Sequence, residues 1–371
     1  KISHDVIQIS SSTVSDNDDI SFVYGDTAAI LFTSGTTGKR KGVRLNHAAL
    51  LGNSLATLEI LKPQSDDILL INIPFHFTSA LCHFLAAALG GFALYGLEKK
   101  LFFGDLIQKL KSSKATAFGG APIQLRWISE FAEQSNEKLD IHWAMSSGDH
   151  LSVDIIERLR THMPALNIFT VYGLTEVGGR FCILQANDID SHKGSVGKPI
   201  QGLGYDVRNP ESLVIVSQGE TGEIYVTGDF LFHEYLNDPK STQESLSDKG
   251  FQTGDLGYTD PNGMLHIVGR CDDVFKVNGQ KVSSLLVAET LRAMDLFQDV
   301  AVVPEHSDML GTIPVAYYVP KSDAFDRKTV LAHLRAKLPT NHLPQKFVAC
   351  TEIPRTASGK IQRYRLKEMS S

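Results

Sequence analysis

The chain has 371 residues, of which 42% are hydrophobic and 21% charged, and carries a net charge of −6. That length supports a large core and two or more domains, and the acidic balance argues against a nucleic-acid partner. Four scattered cysteines (Cys82, Cys182, Cys271, Cys350), with no C-x-x-C pair, argue against a zinc site or a disulfide framework and fit a reducing, cytoplasmic setting.

Residues 1–20 are polar and Ser/Asp-rich and read as a loose lead-in with no signal-peptide pattern. An apolar run, Ala28–Phe32, then leads into TSGTTGKRKG, Thr33 to Gly42. Glycines let backbone N–H groups approach an anion, and hydroxyls and lysines add donors, so this loop points to phosphate. It is not a Walker loop, because Gly38-Lys39 is followed by Arg40 rather than a hydroxyl and the helical pattern starts only near Asn46. Asn46 is the expected N-cap of a helix reaching Leu61. From 22 to about 180, strands (Ile68–Ile73, Ala115–Phe118, His142–Ser146, Ile168–Tyr172) alternate with helices (Phe103–Ser112, Ile123–Glu133, Ser152–His162). Ser152 is the expected N-cap of the last helix, with Asp154 in its first turn. The alternation predicts an α/β domain with a parallel sheet. Ala80–Tyr95, interrupted by His83 and Gly90-Gly91, reads as a buried helix and a strand rather than a membrane span.

Shorter strands with Gly-rich turns follow between 194 and 270: Tyr205–Val207, Leu213–Val216, Gly222–Val226 and Met264–Val268. They predict a small β-rich subdomain within a domain spanning 1–270. Residues 271–371 predict a small α+β domain, with helices Ser284–Met294 and Arg327–Leu338 and strands Val300–Pro304 and Val315–Val319.

Four more segments carry chemistry: VYGLTEVGG (Val171–Gly179), TGDLGY (Thr253–Tyr258), GRCDDVFKVNGQKV (Gly269–Val282) and PRTASGKIQR (Pro354–Arg363). In this order, with the opening loop, they resemble the adenylate-forming superfamily of acyl- and aryl-coenzyme A synthetases, adenylation domains and luciferases. The resemblance spans roughly Ser21 to Leu366. It implies a large N-terminal α/β domain and a C-terminal α+β lid. It also implies that Thr33, Ser34, Gly35, Thr36, Thr37 and Lys39 close on the β- and γ-phosphates of ATP. Thr175 would hold the α-phosphate, and Glu176 would bind Mg²⁺. Gly148, Asp149, Tyr172 and Gly173 would border the adenine. Asp255, assisted by Arg270, would take the ribose hydroxyls, as a carboxylate can accept from both at once. Lys360 would bridge the incoming carboxylate and the α-phosphate, Asp272 would be the hinge, and Lys281 would reach the nucleotide in one domain arrangement.

The implied reaction joins a carboxylic acid to AMP and then passes the acyl group to a thiol, that of coenzyme A or of a carrier-protein phosphopantetheine. An inactive nucleotide-binding regulatory module is the alternative of another class. IPFHFTSAL (Ile73–Leu81) matches the acyl-pocket segment, giving Phe75, His76, Phe77 and Ser79 as lining residues and His76 as the gate. It lacks the Asp that pairs an amino acid's ammonium, so an aryl or medium-length acyl carboxylate is expected. Just 32 residues precede Thr33. The N-terminal part of the usual fold is therefore expected to have been removed, to be a separate chain, or to be absent from a reduced version of the fold. Self-association or a partner would then cover the apolar face it leaves.

Overall fold

Runs such as Ile68–Ile71 and Ala117–Gly120, too short for helices and too apolar for one-sided strands, demand burial on both faces. A sheet covered by helices on each side supplies it. The computed structural model describes residues 27–34, 40–96, 101–149, 151–185, 187–294, 296–307, 309–322, 325–354, 361–362 and 365–366. By its contacts the chain divides into two compact units, 1–253 with 258–266, and 254–257 with 267–371.

In the first unit, β1 (Thr27–Ser34) and β2 (Arg40–Asn46) pair antiparallel out to Ser34 opposite Arg40. Asn46 closes β2 and caps α1 (His47–Leu61), its Oδ1 accepting from the Ala49 N–H at 2.7 Å, as its side-chain chemistry predicted. There follow β3 (Ile68–Ile71), α2 (Thr78–Gly90), β4 (Ala93–Gly96) and α3 (Phe103–Ser112). Next come β5 (Ala117–Gly120), α4 (Pro122–Gln134), β6 (Trp143–Ser147) and α5 (Val153–His162). The run ends with β7 (Asn167–Leu174), a one-turn 3-10 helix (Thr175–Val177), β8 (Gly179–Leu184) and β9 (Lys198–Pro199). These strands form one sheet in the order β4-β3-β5-β6-β7-β8-β9, parallel from β4 to β7 and antiparallel beyond.

Successive residues of one strand serve opposite cores. Leu70 packs with Phe118, Leu125 and Ile155, whereas Leu69 and Ile71 pack with Ala87, Trp143 and Met145. The expected strand Ala115–Phe118 begins two residues later, because the Ala115 N–H closes the end of α3 on the Leu110 carbonyl. Helix α5 starts after Ser152 as expected, with Asp154 in its first turn. Contrary to expectation, the Ser152 hydroxyl makes no cap bond and is buried without a partner.

The chain continues through β10 (Leu203–Arg208), β11 (Gly222–Gly228), β12 (Glu234–Tyr235), α6 (Pro239–Ser245), β13 (Leu246–Ser247), β14 (Gly250–Thr259) and β15 (Leu265–Arg270). A second sheet runs β10-β11-β14-β13 with β15 on β14, while β12 joins the hairpin in the order β1-β2-β12. Leu213–Val216 is not the strand its apolar content predicted. The Asn209 side chain accepts from the Glu211 and Ser212 N–H groups and turns the backbone. Leu213 then adopts φ 59°, leaving a single bridge, Arg208 to Ile215.

The second unit contains β16 (Val274–Val277), β17 (Gln280–Ser283), α7 (Ser284–Arg292), β18 (Phe297–Ser307), β19 (Gly311–Pro320), α8 (Arg327–Lys337) and β20 (Lys346–Ala349). β16 and β17 turn on Asn278 and Gly279 at φ 50° and 80°, the left-handed pair that a tight hairpin needs. β18, β19 and β20 form a three-stranded sheet. One face, including Val300, Val302 and Ala316, packs on Val287 and Leu291 of α7 and Val330 and Leu334 of α8. The predicted helices and strands of this unit are present with longer strands, because both faces of β18 and β19 find apolar cover.

Asp67, 3% exposed, anchors the amino-terminal edge of the main sheet. Its carboxylate accepts from Thr116 Oγ1 at 2.6 Å, Trp143 Nε1 at 3.0 Å and the Gln64 N–H at 2.8 Å. Asp67→Ala orphans these donors and should destabilise the first unit by about 2–4 kcal/mol, at roughly 1–3 kcal/mol per buried unmet group. Tryptophan fluorescence in denaturant checks this, since both tryptophans, Trp127 and Trp143, lie in that unit.

Candidate active site

Strands β3, β5, β6 and β7 run parallel, so the segments leaving their carboxyl ends all emerge on one edge of the sheet. That edge is where open α/β sheets bind ligands. The segments are Asn72–Thr78, Ala121, Gly148-Asp149 and Thr175-Glu176.

Thr175 opens the 3-10 turn after β7, and its Oγ1 lies 2.8 Å from Oγ1 of Thr78 at the start of α2. The Tyr235 hydroxyl donates to Glu176 Oε1 at 2.9 Å, while the Phe232 N–H donates to the Glu176 carbonyl at 2.7 Å. Tyr235 belongs to the sheet of the β1–β2 hairpin, and Lys41 Nζ stands 4.6 Å from its ring centroid. The structure thus ties the hairpin that carries the phosphate-loop sequence to the turn that carries Glu176. Thr33 and Ser34 end β1 opposite Lys41 and Arg40, while Gly35, Thr36, Thr37 and Lys39 lie outside the described residues.

Other expected residues gather on the same edge. Ser79 Oγ is 3.0 Å from Ser147 Oγ at the end of β6. Gly148, at φ 96°, and Asp149 follow that strand and are exposed. Tyr172 on β7 meets Phe181 edge-on, and Gly173 stands in register with Arg180. Phe75 and His76 are exposed, Phe75 packing edge-on to Phe84 and His76 against the Phe77 ring at 4.3 Å.

In the second unit Asp255 is 5% exposed, and its Oδ1 accepts from Arg270 Nη1 at 2.7 Å. The Arg270 N–H donates to Asp273 Oδ2 at 3.2 Å. Asp272 stands in the one-turn 3-10 helix Cys271–Asp273 and Lys281 in β17, with side chains outside those described, and Lys360 lies outside the described residues.

The turn after Glu176 is held from beneath by Asn53 of α1. Its fully buried amide donates to the Val177 and Arg180 carbonyls at 3.1 and 2.6 Å and accepts from the Arg180 N–H at 3.3 Å. Asn53, Arg180 and Tyr235 escaped the sequence reading, because each acts across more than fifty residues and none sits in a local pattern. His83 was visible there, as the polar interruption in an apolar helix.

The profile of the AMP-binding enzyme family matches residues 8–236, and that of the AMP-binding enzyme C-terminal domain matches residues 287–360. The chain belongs to the AMP-binding enzyme family. Members similar to it include a 2-succinylbenzoate–CoA ligase of Staphylococcus epidermidis, 25% identical over 341 residues, covering 92% of this chain and 69% of that protein. 4-Coumarate–CoA ligase 3 of Arabidopsis thaliana is 28% identical over 353 residues, covering 92% and 63% respectively. Among solved structures, ATP-bound MatB from Rhodopseudomonas palustris superposes with a TM-score of 0.83 at 27% identity, covering 94% of this chain and 69% of that one. This AMP-binding chain therefore spans about two thirds of the length of such relatives, with their α/β fold. Among the described residues no helix is long and apolar enough to cross a membrane.

The Glu176 turn closes on Gly178 at φ 76°, where an added Cβ would stand 2.7 Å from the Ala49 carbonyl oxygen. Gly178→Ala should destabilise the first unit by about 2 kcal/mol or more, combining left-handed strain of roughly 1–2 kcal/mol with a backbone clash. The shift in the tryptophan unfolding midpoint measures it.

Proposed function

We propose that this chain activates a carboxylic acid with ATP and passes the acyl group to the thiol of coenzyme A. What supports this is one observation: Thr78, Thr175, Glu176 and Tyr235 meet at the carboxyl edge of a parallel sheet in a chain matching both AMP-binding profiles in order. In the first half-reaction a carboxylate oxygen forms a bond to the α-phosphorus and the bond to the β-phosphate oxygen breaks, giving acyl-AMP and pyrophosphate. In the second, the thiolate attacks the acyl carbon and AMP leaves with both electrons of the broken bond.

Bringing a carboxylate against a polyanion makes charge neutralisation and alignment the main burden. Thr175, oriented by Thr78, is placed to donate to the α-phosphate. Glu176 suits magnesium. Among the described residues no group of three or more acidic, His or Cys side chains forms a closed cage, and this ion is usually held by one or two carboxylates plus substrate phosphates. The Tyr235 hydroxyl fixes the orientation of that carboxylate. Asp255, held by Arg270, takes the ribose, and Gly148, Asp149 and Tyr172 border the base. His76, Phe75, Phe77 and Ser79 line the approach of the acid. The 271–371 domain turns about Asp272 to bring Lys360, and then Lys281, to the nucleotide. Carrier-bound phosphopantetheine is the competing acceptor.

Acid-dependent pyrophosphate–ATP exchange, followed by thioester formation with coenzyme A or a holo-carrier protein, tests the reading; no exchange with any acid would refute it. Lys360→Ala should lower the exchange rate by roughly 10²–10³-fold, the scale for removing one preorganised donor. Thioester formation from preformed acyl-AMP should fall far less. Equal loss in both halves would remove Lys360 from its role.

A further inference from the structure

Between β3 and α2 the chain makes an exposed turn held by polar contacts at both ends. The Phe77 N–H donates to the Pro74 carbonyl at 3.0 Å, which puts Phe75 and His76, both exposed, at the corner of the turn. At the far end Thr78 and Ser79 meet Thr175 and Ser147. At the near end stands Asn72, 7% exposed. Its N–H donates to the Gly119 carbonyl of β5 at 3.4 Å. Its side-chain Oδ1 accepts twice, from Gln124 Nε2 at 2.7 Å and from the Leu101 N–H at 3.2 Å.

Gln124, 4% exposed, lies in the first turn of α4, and its Oε1 accepts from the Ala121 N–H at 2.9 Å. Two backbone N–H groups, those of Ala121 and Leu101, therefore fix the direction of both carboxamides, since each donor must meet an oxygen. Gly120 leaves room for this amide: a Cβ there would stand 2.5 Å from Gln124 Oε1. Leu101, Asn72 and Ala121 follow β4, β3 and β5, three adjacent parallel strands. One pair of buried carboxamides thus fastens together three segments at the carboxyl edge. Phe75 extends the tie. Its ring lies over the end of β4, where a Cβ on Gly96 would come within 3.0 Å of it, and edge-on to Phe84 of α2. A buried amide pair is costly unless its bonds are made, and once they are made it holds one arrangement.

We infer that Asn72 and Gln124 are positioning residues for the acid, setting where Phe75 and His76 stand at its approach. This deepens the acid-activation reading above and rests on it. Both carboxamides act through the turn rather than on the reacting atoms. Gln124 reaches the turn through Asn72, which stands two residues before Pro74. With the near end released, the contacts of Thr78 and Ser79 still fix the far end, beside Thr175. The nucleotide side of the site therefore keeps its geometry while the acid side loses it. That asymmetry separates a positioning role from general support of the fold, which would weaken both sides.

The test measures acid-dependent pyrophosphate exchange in the full chain and in Gln124→Met, Asn72→Leu and Asn72→Asp, with KM for the best acid and for ATP taken separately. A KM does not depend on how much of a preparation is folded. Gln124→Met and Asn72→Leu should each raise the acid KM roughly tenfold, below the roughly hundredfold that a misplacement of about 1 Å can cost, and leave the ATP KM within about twofold. Asn72→Asp keeps an acceptor for both donors and should raise the acid KM far less than Asn72→Leu. An unchanged acid KM in Gln124→Met, or acid and ATP KM rising together, overturns the inference while leaving acid activation intact. Should no acid support exchange by the wild type, acid activation fails instead, and hydrogen exchange then decides the anchor. Amides of residues 73–77 should exchange roughly tenfold faster in Gln124→Met while those of β10 and β11 keep the wild-type rate, and no such acceleration overturns it.

Discussion

Parallel pairing of β3, β5, β6 and β7 is the constraint on which the candidate site depends. Parallel strands must be joined by crossovers, and each crossover leaves from the same edge. Segments separated by a hundred residues in sequence are thereby delivered to one place. Thr78 at the head of α2 can touch Thr175 after β7 because both elements begin at carboxyl ends of strands in the same sheet. Asp67 holds the opposite edge in register, tying Thr116 and Trp143 to the entry of β3.

The small sheet β1-β2-β12 adds the second constraint. Tyr235 and Phe232 grip Glu176 from a segment nearly sixty residues downstream, and β2 lies beside β12. A hairpin whose tip sequence is made of hydroxyls, glycines and cations is thus anchored beside the carboxylate proposed to hold the metal. The polar face of α2 belongs to the same design. Its first turn meets Thr175 and Ser147 through Thr78 and Ser79, and its second meets Gly178 and Arg180 through Cys82 and His83.

The elements most legible in the sequence were those with local causes. Asn46 caps α1 because its carboxamide reaches the third N–H of the helix, a contact three residues long. Phe103–Ser112 was read with its true ends because its apolar stripe has a helical period. Leu213–Val216 misled, since β-branched residues signal a strand only where a neighbour offers hydrogen bonds, and the Asn209 turn intervenes.

The amino-acid sequence by itself determined the family and the α/β order of the first domain, and it supplied the residues proposed for the nucleotide site, because these are written as short motifs and local periodicities. Tertiary structure alone decided that Tyr235 supports Glu176, that Asn53 props the turn, and that Arg180 is a buried cation beside His83 with no acidic partner among the described residues. Burial and pairing are properties of what surrounds a side chain, and for these residues the surroundings come from strands and helices distant in sequence.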